Sequence, residues 1–212
     1  FHTGLLCMAV VTLLVARRVI PFFASRAVQG LSIPMHTRSG QWQLGASVFA
    51  IACGLAGWPV QMAAALGVAG AIALVQLAAW KPWAVRKMPL LWILYAGYAA
   101  LGAGLPVAAA HAAGAVPRLA WPAHVLGVAG FSVLIIGMVT RTALGHLGRP
   151  LRTDRLMVAC YALVIAAAAL RLLALLPTPL MLACLHASAG AWVLAFALYL
   201  WRFVPMMIRP RR

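Results

Sequence analysis

Acidic residues are almost missing from this chain. Asp154 is the one carboxylate side chain, set against 17 Lys and Arg, for a formal net charge of +16. Two or more carboxylates working together, as in a proton relay or a cation site, are therefore excluded within these residues. Charged residues of either sign make up 8% of the sequence, where a soluble domain carries about a quarter. Cysteine is sparse as well. Cys7, Cys53, Cys160 and Cys184 stand singly in apolar runs, so no C-x-x-C metal or redox motif exists and each reads as a small core residue. There is no P-loop, no zinc motif and no catalytic triad. Alternating apolar and polar residues are lacking too, which argues against a membrane barrel.

What remains is apolar. Hydrophobic residues account for 66% of the chain, and its mean hydropathy is +1.01. About 20 apolar residues cross a ~30 Å hydrocarbon core as a helix. The uncharged run 39–80 is twice that length and is interrupted at Gly57-Trp58-Pro59; Pro177-Thr178-Pro179 interrupts the last third of the chain. Proline cannot continue a helix interior without losing a hydrogen bond. The pattern predicts an all-α polytopic membrane protein, one domain over 1–212, with about seven transmembrane helices in a bundle, near 1–25, 41–57, 59–80, 88–112, 121–145, 153–176 and 179–206. Phe1 already lies inside an apolar run without a charged segment before it, which reads as part of a longer chain.

Cations set the expected orientation. Arg17, Arg18, Arg26 and Arg38 fall to the first loop, Lys81, Arg86 and Lys87 to the third, Arg141, Arg149, Arg152 and Arg155 to the fifth, and Arg202, Arg209, Arg211 and Arg212 to the C-terminus. Fifteen of the 17 thus share one side, and the positive-inside rule makes it cytoplasmic, with the N-terminus outside. Cations scattered among apolar runs do not form a nucleic-acid-binding patch; their expected partners are anionic membrane lipids. Asp154 is placed in the first turn of a helix, where its charge suits the dipole. Trp42, Trp58, Trp80, Trp83, Trp92, Trp121 and Trp201 fall at predicted helix ends as an interfacial belt, and Trp192 mid-span. Gly127, Gly130 and Gly137 would let helices approach closely.

Counting about 1.5 Å per residue from cytoplasmic arginines on the same helix places four ionisable groups in one layer. His2, His124, Arg171 and His186 all come out about 22–26 Å from their reference arginines, a little inside the outer boundary. His111, about 36 Å from Lys87, falls in the outer loop. Ionisable groups at membrane depth are functional candidates. His124 and His186 are the leading metal-ligand candidates, His2 is a third, and Arg171 has the planar fork to hold a haem propionate. The alternative is a metal-free transporter or sensor in which this layer lines a substrate path. His36 and His146 are placed on the cytoplasmic side, with His146 ending a helix ahead of Gly148.

Three stretches, RRVIPFFASRAV (17–28), HVLGVAGFSVLIIGMVTRTALGHLGRPL (124–151) and HASAGAWVLAFALYLWRFVPMMIRPR (186–211), resemble the NnrS family. The middle one is the most specific, carrying His124, Thr140, Arg141, His146, Gly148, Arg149 and Pro150 in the family's order and spacing. The resemblance covers nearly the whole chain and is assigned to the C-terminal half of a typical member, which would make the N-terminal half a missing partner. It implies a multi-pass bacterial inner-membrane protein that binds haem and copper, meets nitric oxide or iron-nitrosyl species as ligand, and acts in nitric oxide metabolism or resistance to nitrosative stress. It raises His124 as a haem or copper ligand.

Overall fold

The computed structural model describes residues 2–34 and 37–208. His36 lies outside the described residues, as do Arg209, Arg211 and Arg212 of the C-terminal cation cluster. Seven long helices are present among the described residues. They are α1 (His2–Ala27), α2 (Thr37–Leu55), α3 (Pro59–Ala79), α4 (Pro89–Ala112), α5 (Ala120–His146), α6 (Arg155–Leu173) and α7 (Met181–Ile208). All except α2 are long and apolar enough to cross a membrane. The first turns of α2, Thr-Arg-Ser-Gly-Gln-Trp-Gln, are too polar. Pro59 opens α3 at a position where a missing N–H costs nothing, and residues 174–180 separate α6 from α7.

Two local departures were not expected. Between α3 and α4, Pro82–Val85 forms a short 3-10 turn, entered through Lys81 at φ 54°. Within α5, Val125–Ser132 is π-helical, a wider winding that often marks functional positions. At its other end α5 stops as the sequence suggests. Gly148 takes φ 64°, its N–H reaches Gly145 O at 3.0 Å, and Arg149 N–H reaches Leu144 O at 2.9 Å. That closure satisfies carbonyls the helix leaves open.

α4 is the central helix. It packs against α1, α3 and α5, while α2 lies on α3 and α7 on α6. Lipid competes equally for apolar side chains, so close fit and internal hydrogen bonds hold such a bundle together. The α4–α5 seam is close because small residues alternate across it. A Cβ on Gly97 would lie 2.8 Å from Leu134 N, and one on Gly130 would lie 2.5 Å from Leu101 Cδ2. Gly137 is similarly close to Ile93 and Leu94, whereas Gly127 faces open space. The expected close approach thus holds at Gly130 and Gly137 and fails at Gly127.

The tryptophan belt is also revised. Trp42 and Trp201 are 75% and 79% exposed, but Trp80 is 1% exposed. Its ring centroid lies 4.5 Å from that of Tyr98 and 6.2 Å from that of Tyr95. Tyr95 also donates to the Trp80 carbonyl at 3.1 Å. Of the cysteines, Cys53 and Cys160 are buried as expected, Cys184 is half-buried and Cys7 is exposed.

Candidate functional site

The bundle has two chemically distinct ends. One gathers histidines. His2 is the first residue of α1, His111 is in the last turn of α4, and His124 lies at the α5 N-terminal end just before the π segment. Arg171 is in the last turn of α6 and His186 in the second turn of α7. Arg118, between α4 and α5, donates to the Leu175 carbonyl at 3.2 Å and so ties this end of α6 to the α4–α5 loop. A cation suits the C-terminal end of a helix.

His111 is not in the loop. It is half-buried in α4, and its ring centroid is 6.2 Å from that of His2, edge to face. The reason is the ruler. Arg17 lies inside α1, which runs on to Ala27. Measured from that end, His2 is 25 residues distant, about 37 Å, one residue more than the span from Lys87 to His111. The same measure removes Arg17, Arg18 and Arg26 from the loop and puts Arg38 in α2. His111 Nδ1 lies 2.7 Å from Val116 O. A carbonyl can only accept, so Nδ1 carries the proton and a neutral His111 keeps its Nε2 lone pair free of it. His2 Nδ1 is buried without a hydrogen-bond partner among the described residues.

His124 and Arg171 are half-buried and lie within electrostatic range of each other. His186 is exposed. The layer foreseen from the sequence therefore resolves into a His2–His111 pair, a His124–Arg171 pair and a surface histidine. No three His, Cys, Asp or Glu among the described residues form a metal-holding cluster. Imidazole nitrogens remain the right donors for copper and haem iron, and the unpartnered His2 nitrogen is one such donor.

The other end gathers cations. Asp154 caps α6, accepting the Met157 N–H at 2.9 Å. Its other oxygen pairs with Arg202 Nε on α7 at 2.6 Å. Asp154 thus precedes the first turn of α6 instead of occupying it, and its ion-pair partner was not foreseen. Burial alone would raise its pKa. The Met157 N–H and the Arg202 guanidinium outweigh that and hold the carboxyl below its usual range. Thr140 is buried and donates to Ile136 O at 2.7 Å. Arg141 is only 8% exposed and lies 3.8 Å over the Phe23 ring of α1. Exposed His146 and Arg149 complete the motif surface with Gly148 and Pro150.

A third polar feature, between the two ends, escaped the sequence reading. Tyr98 donates to Gln76 Oε1 at 2.9 Å, and Gln76 Nε2 donates to Ser39 Oγ at 3.0 Å. Ser47 donates to Gln43 O at 2.7 Å. Gln43, Ser47, Gln76 and Tyr98 are all buried, and Arg17 Nη1 beside them is buried without a hydrogen-bond partner among the described residues. Gln43 and Gln76 on successive helices were the available signal, but their partners were not legible.

The NnrS family model matches residues 1–211. The chain belongs to the NnrS family. That match is consistent with a haem- and copper-linked membrane protein of the nitric oxide response. It overturns the assignment to the C-terminal half of the family, because the family model matches nearly the full chain, residues 1–211, and not merely such a half. No curated protein and no solved structure matches the chain. The NnrS segment 124–151 is α5 with its closing turn, so it joins the histidine end to the buried Arg141.

Proposed function

We propose that this multi-pass protein resides in a bacterial inner membrane and binds haem and copper at its histidine end, acting in nitric oxide metabolism or resistance to nitrosative stress. The family match over residues 1–211 carries the reading. His124, His186 and His2 are the ligand candidates, Arg171 is the propionate partner, and His111 joins them through its contact with His2. The π-helical turn that follows His124 supports its selection. When bound, haem iron supplies a centre that takes up nitric oxide, and copper supplies one-electron chemistry. The chain's own contribution is to fix imidazole orientation. Val116 O sets the His111 tautomer, and Arg171 places positive charge beside His124. The cation-rich end faces the cytoplasm, which leaves the histidine end outside.

The second reading is a metal-free transporter or sensor in which the layer of His2, His124, Arg171 and His186 lines a substrate path. An absorption spectrum of the purified protein separates the two readings. A Soret band that is lost or displaced in His124→Ala or His186→Ala, with membrane insertion intact, is the expected result. A colourless protein after haem and copper supplementation would overturn the proposal. Cells lacking the protein should grow normally without stress and poorly under a nitric oxide donor, and the wild-type gene should restore growth where the His124→Ala, His186→Ala double variant does not.

A further inference from the structure

The cation-rich end contains a cavity of about 640 Å³, open to the surface. Four cations line it: Arg26 from the end of α1, Lys87 from just before α4, Arg141 from α5 and Arg152 from the α5–α6 connection. No acidic side chain is among its lining residues. Asp154, close by in sequence, is committed to Arg202 and to the Met157 N–H.

Three of these cations are exposed, as at any membrane surface. Arg141 is different. It is 8% exposed, and among the described residues its guanidinium donates no hydrogen bond. Phe23 covers one face of its plane at 3.8 Å. A stacked guanidinium still has its in-plane N–H fork available, and Arg141 is part of the cavity lining. Burying such a charge without a carboxylate is costly unless a counter-charge arrives. The N-terminus of α4 also opens here. Met88, Pro89, Leu90 and Leu91 line the cavity, and the 24-residue helix has no side-chain cap. Its dipole adds partial positive charge to the four full ones.

We propose that this cavity is an oxyanion site that binds a phosphate group, held by the Arg141 fork and by Arg152, Lys87 and Arg26. It is separate from the histidine end and does not depend on any metal being bound there. A phosphate at this position can come from an anionic phospholipid headgroup or from a soluble phosphate, and the chemistry of the pocket is the same for both.

The test uses the full chain, purified and freed of lipid in an uncharged detergent. Its thermal midpoint is followed while inorganic phosphate is added, in parallel with sodium chloride at equal ionic strength. Separate samples receive phosphatidylglycerol or phosphatidylcholine. Saturable stabilisation by inorganic phosphate beyond the chloride control identifies a soluble source. Stabilisation by phosphatidylglycerol and not by phosphatidylcholine or inorganic phosphate identifies the headgroup. Either supports the site. The Lys87→Gln, Arg152→Gln variant changes exposed residues only, so it should fold, and its apparent affinity for the active probe should fall about tenfold or more. Arg141→Lys keeps the charge and loses the planar fork, and should weaken binding by a similar factor. Stabilisation matched by chloride, absent with every probe, or unchanged in the double variant would overturn the proposal.

Discussion

Arg202 Nε lies 2.6 Å from Asp154 Oδ2, so the one carboxylate in the chain joins α7 to the start of α6. The same side chain caps α6 through Met157. Because the folded carboxyl titrates below its ordinary value of 3.8, it contributes stability that is complete above that value and is lost as pH falls through the lower, folded pKa. Asp154→Asn can still cap the helix but cannot pair as an anion. Its thermal midpoint should lie below wild type at pH 7, and the gap should close as the pH drops beneath 3.8. A gap independent of pH would remove the ion pair from the explanation.

Close packing of α4 on α5 is tested at Gly97. A methyl there would meet the Leu134 backbone nitrogen at 2.8 Å, and backbone cannot step aside. Gly97→Ala should destabilise the bundle by about 1–3 kcal/mol. Gly127→Ala, where nothing lies within 4 Å, should be neutral or slightly stabilising. Thermal unfolding in detergent measures both, and equal effects would contradict the seam.

Gln76 bonds both Tyr98 and Ser39. Gln76→Leu leaves the buried Tyr98 hydroxyl unsatisfied and should cost about 1–3 kcal/mol. Adding Tyr98→Phe removes the stranded group, so the double variant should be more stable than Gln76→Leu alone. Simple additivity of the two losses would mean that the hydrogen bond is not a coupled pair.

The proposed orientation rests on the positive-inside rule. A reporter active only in the periplasm should be silent when fused after Arg212 and active when inserted near Ala115, between α4 and α5. The opposite pattern would invert the bundle and move the histidine end to the cytoplasm.

Helix number and most helix ends were legible because they depend on transfer between water and lipid. Pro59 and the Pro177–Pro179 segment stop helices whatever packs beside them. Mutual placement was less legible. In a membrane helix the lipid-facing and neighbour-facing sides are both apolar, so the amphipathic stripe that reveals a soluble core is weak. Trp80 illustrates this. Its position at a helix end suggested the interface, but Tyr95 and Tyr98 on α4 enclose it. Arg141 is a second case, since a rule about the sides of a membrane says nothing about Phe23. The histidines were legible as a group. Which of them meet was not, because that depends on where each helix ends.

The π segment Val125–Ser132 lies between His124 and Arg141 on one continuous helix. Each wide turn stores part of a surplus residue compared with regular winding. Removing one residue from an α-helix turns everything beyond it by about 100°. The relative bearing of the histidine and the arginine is thus written in the number of residues separating them. A deletion in this segment would use up the stored surplus and leave the two ends of α5 near their present bearing, whereas the same deletion in the regular winding beyond it would swing them apart. For α5, spacing is inherited information in its own right, independent of which side chains fill it.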